Sequence, residues 1–220
     1  MKSNIKVISS GNVLEVYEYE KEQYFGHEGK GGRKKTESEE WEKIRKQSMR
    51  TARNNIRRKI LSNFDNHSKF ITLTFRDDEK INIKDVAVCN DLFNKFIKRL
   101  KYRYKDFKYL TVIEFQDGKR RKDKKGRGAV HYHMISELPY IPFKELKAIW
   151  GHGGVYINDI RHVDNVGAYL IKYMCEDVYD ERLKGKKSYF SSRNLEKSEI
   201  FRGDEAELIL EVYKNKEPVY

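Results

Sequence analysis

Alternation and spacing of apolar residues predict strands and helices through the middle of the chain. Four short segments are rich in β-branched and aromatic residues and are bounded by charged or turn-forming residues, which is typical of strands. These predicted strands span residues 70–75, 107–115, 130–135 and 155–160. Apolar residues at three- and four-residue spacing predict amphipathic helices over 86–102, 143–150 and 164–177, the last of them capped by Asp164.

The order of these elements is β-α-β-β-α-β followed by one extra helix. This order folds most simply as an antiparallel ferredoxin-like sheet with its helices packed on one face, so the predicted fold class is α+β. The second and third strands are expected to form a hairpin, which is joined by a basic loop over residues 117–128.

The segments on either side of this core are predicted to be accessory. Residues 13–19 alternate in polarity and predict one strand of an N-terminal hairpin, and a Gly- and Lys-rich linker covers residues 26–35. Residues 38–61 predict a basic helix, which is either solvated or in contact with a DNA backbone. The apolar run at 208–213 predicts one more strand. The expected domains are 1–62, 63–180 and 181–220.

Charge narrows the class of partner. The chain has 46 Lys and Arg against 34 Asp and Glu, and its net charge of +12 favours nucleic acid, with an anionic membrane surface as the competing interpretation. No apolar run is long enough to span a membrane and no signal-peptide core is present, so a soluble cytosolic protein is expected. Cys89 and Cys175 lack CxxC spacing, which argues against a disulfide framework or a zinc site. The Gly-rich linker lacks the spacing of a P-loop, so no nucleotide is expected.

Two histidines at alternate positions make residues 130–135 the centre of the candidate chemistry. His131 and His133 point to one face of their strand because side chains alternate, and Tyr132 and Met134 point to the other. Two imidazoles about 7 Å apart on a strand can share one divalent metal. The alternative interpretation is a pair of satisfied or half-exposed histidines.

Glu114 is the acidic residue best placed to complete such a site. It lies near the end of the strand that pairs with the histidine strand, so its carboxylate reaches the same metal if the register is right. Otherwise it is an exposed residue at the rim of the sheet. Two imidazoles and one carboxylate leave coordination positions open for substrate, and they suit Mg²⁺ or Mn²⁺ acting as a Lewis acid on a phosphate oxygen.

The last predicted helix carries a candidate nucleophile. Its apolar stripe consists of Val166, Leu170, Tyr173 and Met174. Tyr169 lies at the margin of this stripe, where its hydroxyl can attack, and Lys172 is close enough along the helix to stabilise negative charge. Tyr173 lies deeper in the stripe, a position more typical of a packing residue.

Three segments together resemble the motifs of the HUH-superfamily replication initiators of rolling-circle plasmids, phages and small viruses. Residues 70–75 resemble the first motif, residues 128–133 (Gly-Ala-Val-His-Tyr-His) the second, and residues 169–173 (Tyr-Leu-Ile-Lys-Tyr) the third, Tyr-x-x-Lys. Their order, spacing and predicted elements agree over about residues 68–178. The pair of Tyr169 and Tyr173 is similar to the paired tyrosines of some phage initiators.

The resemblance implies a metal-dependent, site-specific single-strand DNA endonuclease and strand transferase with the HUH form of the ferredoxin-like sheet. It implies that His131, His133 and the acidic Glu114 hold the metal, with Gln116 as the reserve ligand. The implied catalytic residues are Tyr169, Lys172 and Tyr173. Attack by a tyrosine would leave a 5′-phosphotyrosine link and a 3′-hydroxyl primer. The implied partners are single-stranded origin DNA and a host helicase, in the cytoplasm of a bacterium that carries the plasmid or phage.

The predicted loop before the histidine strand is dense in positive charge. Its basic residues are Lys119, Arg120, Arg121, Lys122, Lys124, Lys125 and Arg127. They form either a solvated tip or a grip on the DNA that flanks the nick.

Other classes of function are compatible with parts of this pattern. A relaxase or transposase of the same superfamily would share the nicking chemistry. A non-catalytic module similar to RNA-recognition domains would share the element order and the sheet aromatics, but it needs neither the histidine pair nor the Tyr-x-x-Lys helix. A phage regulatory protein that binds a partner is the third alternative.

Overall fold

The computed structural model describes residues 2–24, 38–117, 126–174, 181–183, 186–187 and 189–217. In chain order its elements are β1 (Lys2–Ser10), β2 (Val13–Tyr24), α1 (Ser38–Leu61), β3 (Lys69–Leu73), α2 (Val86–Arg103), β4 (Tyr109–Phe115), β5 (Val130–Ser136), α3 (Phe143–Trp150), β6 (Val155–Asn158), α4 (Val166–Met174), a 3₁₀ turn (Glu181–Leu183), β7 (Tyr189–Ser191), β8 (Glu199–Arg202) and α5 (Asp204–Tyr213). None of the helices described is long and apolar enough to cross a membrane. The chain divides into two compact units, Ala52–Glu196 and Met1–Thr51 with Lys197–Tyr220. The predicted linker at 26–35 lies outside the described residues.

A five-stranded antiparallel sheet forms the centre of the unit Ala52–Glu196. Its strand order is β6-β3-β5-β4-β7. The four predicted strands take the order of a ferredoxin-like sheet, with β3 and β5 in the middle, and the α+β prediction is confirmed. Strand β7, which the sequence pattern did not predict, pairs with β4 and forms the other edge.

One face of this sheet is covered by α2 and α3. The carboxylate of Asp85 accepts the backbone N–H of Ala87 at 2.7 Å and caps the start of α2. The inward stripe of α2 is fully buried and consists of Cys89, Phe93, Phe96 and Leu100. These side chains share one apolar cluster with Trp150 of α3 and with the sheet. Helix α3 ends at Gly151, whose φ of +75° is the left-handed conformation that favours glycine.

The opposite face is covered by α4 and by the end of α1. Ile60 of α1, Leu170 of α4 and Phe70 of β3 belong to one buried cluster. Gly167 allows the two helices to approach closely, because a Cβ at this position would lie 3.0 Å from the backbone oxygen of Arg57. The extra helix of the predicted order therefore lies across the sheet from α2 and α3.

Asn165 caps α4, so the prediction of Asp164 as the cap is wrong. The side-chain oxygen of Asn165 accepts the backbone N–H of Ala168 at 2.8 Å, three residues along, which is the geometry of a helix N-cap. Asp164 precedes the cap position by one residue. The predicted end of the helix, at 175–177, lies outside the described residues.

The unit Met1–Thr51 with Lys197–Tyr220 contains a three-stranded antiparallel sheet in the order β2-β1-β8. The predicted N-terminal hairpin is confirmed: β1 and β2 pair across a turn at Gly11, which has a φ of +56°. Strand β8 pairs with the other edge of β1. Strands from the two predicted end segments thus form one sheet.

Residues 208–213 are helical, so the prediction of a strand in this run is wrong. The first turn of α5 is acidic, with Asp204, Glu205 and Glu207, and negative charge there interacts favourably with the unpaired N–H groups. Ala206 is buried and Ile209 and Leu210 are half-buried, at three- and four-residue spacing. A short run of consecutive apolar residues does not distinguish a strand from a helix, and here the helix forms.

Candidate active site

The strand register brings the predicted metal ligands to one face of the five-stranded sheet. Glu114 of β4 lies directly opposite His131, and Thr72 of β3 lies opposite His133 on the other side of β5. Residues paired across antiparallel strands share a face. The two histidines, Glu114 and Thr72 therefore project toward the layer that contains α4. This register, which the sequence left open, allows the Glu114 carboxylate to reach the histidines.

The His133 ring is held from both sides. Its Nε2 lies 2.6 Å from Glu114 Oε2, and its Nδ1 lies 3.1 Å from the Thr72 hydroxyl oxygen. The His133 and Glu114 side chains are 6% and 15% exposed, so little water reaches their contact. A neutral ring meets both contacts when Nε2–H donates to Glu114 and the Thr72 hydroxyl donates to Nδ1. In the other tautomer Nδ1–H donates to Thr72, and the Nε2 lone pair becomes available to a ligand.

His131 has a buried ring nitrogen that makes no hydrogen bond within the described part of the chain. This atom is Nε2. Burial and, secondly, the neighbouring His133 lower the pKa of His131 to about 4, while Glu114 acts in the opposite direction. The ring is therefore neutral near neutral pH. Buried polar atoms normally have a partner, so an unsatisfied nitrogen on this face is consistent with a ligand-binding role.

Helix α4 brings both tyrosines of the Tyr-x-x-Lys segment to the same face. The Tyr173 ring stacks on the His133 ring, with centroids 4.1 Å apart and planes inclined by 25°. The Tyr173 hydroxyl donates to the Tyr169 hydroxyl at 3.3 Å. The ammonium of Lys172 lies 4.0 Å from the centroid of the Tyr169 ring and 5.6 Å from that of Tyr173. Both tyrosines are half-buried, and Tyr173 makes the ring contact with a histidine.

Two residues of β3 support this arrangement and were not among the predicted site residues. The buried Phe70 ring lies 5.1 Å from that of Tyr169 and 5.4 Å from that of Tyr173, so it packs against both candidate nucleophiles. Thr72 holds His133. The sequence contained a signal for both: they alternate along the strand that neighbours the histidine strand in a ferredoxin-like sheet.

The basic loop is described only at its C-terminal end. Arg127 donates to Gln116 Oε1 at 2.9 Å, to Asp77 at 3.0 Å and to the Phe75 carbonyl at 3.1 Å. These bonds tie the end of the loop to the segment after β3, and they engage the side-chain oxygen of Gln116, the predicted reserve ligand. The residues of the loop outside the described part of the chain are Lys119, Arg120, Arg121, Lys122, Lys124 and Lys125.

The side chains of this site lie within one segment that matches a known protein family. Residues 68–178, half of the 220-residue chain, match the family described as Replication-associated protein ORF2. The chain belongs to this family. Membership indicates a replication initiator and is consistent with the rolling-circle type that the three motifs resemble. Comparison with curated proteins and with solved structures gives no significant match.

The side chains of the site fit a divalent metal in type and position. Two imidazoles and one carboxylate share a face, and the buried Nε2 of His131 has no partner among the described residues. Within that same part of the chain, no group of three or more His, Cys, Asp or Glu side chains is arranged as a metal site. Glu114 is bonded to His133 instead. Coordination of a metal by both residues would therefore replace their hydrogen bond.

Proposed function

We propose that this replication-associated protein nicks single-stranded origin DNA by tyrosine attack and so initiates rolling-circle replication. The observation that carries the proposal is the contact between α4 and the histidine strand. Tyr173 stacks on His133 with centroids 4.1 Å apart, and its hydroxyl lies 3.3 Å from that of Tyr169. Candidate nucleophiles and candidate metal ligands from distant parts of the sequence therefore meet on one sheet face, as HUH-type nicking requires.

In the proposed reaction Tyr169 is the attacking residue. Its oxygen forms a bond to the scissile phosphorus, and the bond from phosphorus to the 3′-oxygen breaks. Tyr169 loses its hydroxyl proton, and the leaving 3′-oxygen gains one. The products are a 5′-phosphotyrosine link and a 3′-hydroxyl that primes synthesis. Because the tyrosyl ester conserves the energy of the phosphodiester, a later 3′-hydroxyl can reseal the strand without ATP.

Two neighbours of Tyr169 support its assignment. The Tyr173 hydroxyl donates a hydrogen bond to the Tyr169 oxygen, which orients that oxygen. The ammonium of Lys172, over the Tyr169 ring, supplies positive charge for the phosphate. The Tyr173 ring is packed against both His133 and Phe70 and is the more constrained of the two. In the proposal Tyr173 positions Tyr169, and it acts as a second nucleophile only if the two tyrosines work as a pair.

His131, His133 and Glu114 are the residues that would hold Mg²⁺ or Mn²⁺. When bound, the metal supplies Lewis-acid polarisation of the scissile phosphate. Thr72 would accept the Nδ1 proton of His133 and so keep Nε2 directed into the site, the role that hydrogen-bond partners of metal-binding histidines usually have.

The proposed DNA contacts outside the site are electrostatic. The net charge of +12 favours the phosphate backbone, which dominates the affinity of most DNA-binding proteins. We propose that the basic loop binds the phosphates that flank the nick, through Lys119, Arg120, Arg121, Lys122, Lys124 and Lys125. Arg127, which is bonded to Gln116 and Asp77, would anchor the loop beside the site. A host helicase is the proposed partner for unwinding.

The test is detection of a covalent protein–DNA adduct by denaturing gel electrophoresis. The full chain is incubated with Mn²⁺ and with single strands that tile the origin of its own replicon. Tyr169→Phe removes only a hydroxyl and is expected to eliminate the adduct, whereas Tyr173→Phe is expected to retain it. Tyr189→Phe is the matched control, because this half-buried tyrosine of β7 packs in the same cluster but is not a proposed nucleophile.

The pattern of adducts distinguishes the alternatives. Exchange of the two phenotypes would identify Tyr173 as the nucleophile. Adducts in each single variant, lost only in the double variant, would show that both tyrosines act. A nucleotide mapped to a peptide outside residues 167–174, or no adduct on any strand with the wild-type protein, would contradict the proposed mechanism.

A further inference from the structure

A row of side chains crosses the whole five-stranded sheet through His133. Thr72 lies opposite both His133 and Tyr156, and Val112 lies opposite both His133 and Tyr189. Because cross-strand partners share a face, Tyr156 on the edge strand β6 is on the same face as the candidate site. One strand separates β6 from β5, so the backbones at Tyr156 and His133 are about 10 Å apart.

Tyr156 differs from the centre of this row in its exposure to solvent. Its side chain is 58% exposed, whereas His133 is 5% exposed and Val112 is fully buried. Helix α4 packs with Val112 and with the neighbouring apolar residues of β3, β4 and β5. The row therefore begins with an exposed aromatic ring at the sheet edge and leads into the covered site.

The Tyr156 ring lies back along its own strand over Gly154. A Cβ at Gly154 would be 2.9 Å from Tyr156 Cε2, 3.1 Å from its hydroxyl oxygen and 2.8 Å from Thr74 Oγ1. Only a residue without a side chain leaves room for the ring in this position. The ring rests beside Thr74, which follows Thr72 by two residues, and so it extends toward the end of the face that carries His131.

We propose that Tyr156 is a base-stacking platform for a nucleotide that flanks the scissile phosphate. The inference rests on the proposed nicking function and adds to it a binding subsite for a nucleobase. Bases stack on exposed aromatic rings with little dependence on their identity, which is how many proteins hold single strands. Stacked nucleotides are spaced by about 3.4 Å, so a separation of about 10 Å corresponds to about three nucleotides.

The charge and the position of Tyr156 favour a nucleic-acid occupant. The chain has a net charge of +12, and the exposed ring is continuous with the face on which the proposed nucleophiles and metal ligands meet. A strand that crosses the sheet edge at β6 would pass over Tyr156 before its phosphate reaches the site. The ring would thus fix the position of the strand along the face.

The test compares variants that separate the ring from its hydroxyl. Tyr156→Ala is expected to weaken binding to single-stranded DNA by about tenfold, whereas Tyr156→Phe keeps the stacking surface and is expected to bind within about twofold of wild type. Gly154→Ala leaves the tyrosine in place but adds a methyl group where the ring lies, and it should weaken binding in the same direction. Tyr102→Ala is the control, because Tyr102 is 88% exposed on α2, across the sheet.

Affinity is measured by fluorescence anisotropy with the full chain, a labelled oligodeoxythymidine of about 20 nucleotides, and EDTA to prevent nicking. Equal affinity of wild type and Tyr156→Ala would overturn the proposal, and so would a Tyr156→Phe variant as weak as Tyr156→Ala. The outcome is independent of the adduct assay. A normal stacking effect without any adduct would contradict nicking alone, and normal adducts without a Tyr156 effect would contradict the platform alone.

Discussion

The two faces of the five-stranded sheet differ in what they bury, and three consecutive residues of β5 display the difference. Tyr132 faces α2, where its ring stacks on that of Phe93 with centroids 4.4 Å apart and its hydroxyl donates to Asn90 at 2.7 Å. His131 and His133, on either side of it, face α4 and the polar groups of β3 and β4. One strand thus contributes to an apolar core on one side and to a candidate site on the other.

The comparison separates the source of stability from the source of chemistry. Burial raises the pKa of Tyr132 well above its ordinary value, so this hydroxyl stays neutral and acts as a structural group. The α4 face buries groups that bind protons or metals, and such groups are costly to bury unless they are paired. His131 Nε2 is buried without a hydrogen bond to any described residue. The α2 face provides the apolar packing that offsets this cost.

The largest effect is expected from removing the histidines of the α4 face. His131→Ala and His133→Ala each delete a proposed metal ligand. Either change should lower Mn²⁺-dependent adduct formation by more than the about 10- to 100-fold typical for a residue that only orients a ligand. Affinity for single strands should change little, because phosphate contacts dominate it.

Single-turnover adduct assays and circular dichroism measure these two expectations. His67→Ala, at an exposed histidine, is the matched control and should behave as wild type. Undiminished adduct formation by both site variants would exclude the metal site.

A smaller effect, on stability and not on chemistry, is expected from the α2 face. Phe93 is fully buried against Tyr132 and Phe96, and Phe93→Ala should lower the free energy of unfolding by about 3–5 kcal/mol. Adduct formation should remain near wild type at temperatures where the variant is folded, because Phe93 lies across the sheet from the site.

Urea denaturation measures the loss of stability. Val88→Ala, at a position 39% exposed on the same helix, should change the free energy of unfolding by no more than about 0.5 kcal/mol. Loss of adduct formation in folded Phe93→Ala would show that the two faces are energetically coupled.

The smallest effect is expected at Thr72, which touches the site only through His133. Thr72→Val removes the hydroxyl that lies 3.1 Å from Nδ1, and it should raise the Mn²⁺ concentration for half-maximal nicking by about tenfold. The maximal rate at saturating Mn²⁺ should change less, because no proposed ligand is lost. Thr72→Ser keeps a hydroxyl and should restore the wild-type metal dependence. A lower maximal rate with unchanged metal dependence would contradict this positioning role.

The sequence was sufficient for the parts of the fold with strong periodicity. The apolar stripe of α2 and the β-rich runs of β3, β4 and β5 identify each element without reference to its neighbours, and their order gives the ferredoxin-like sheet. The face shared by His131 and His133 follows from alternation alone. The register of Glu114 against His131 did not follow, because a slip of one residue changes which side chains meet and is specified by packing across the sheet.

The elements that the sequence did not predict depend on partners far along the chain. Strands β7 and β8 have three and four residues, too few for a periodic pattern, and they form by pairing with β4 and β1. Helix α5 begins where acidic residues precede an apolar run that is ambiguous by itself. Asp164 and Asn165 both have side chains that can cap a helix, and only the observed start of α4 at Val166 selects between them.

The pairing of β1 with β8 has a consequence for the protein during its synthesis. Lys6 lies opposite Arg202, so β1 leaves the ribosome long before its second partner exists. During that interval the nascent hairpin has a bare strand edge, and such an edge is a template for intermolecular pairing. Translation past residues 199–202 covers it. Chains that stall before this point are therefore the ones most exposed to aggregation and most in need of a chaperone.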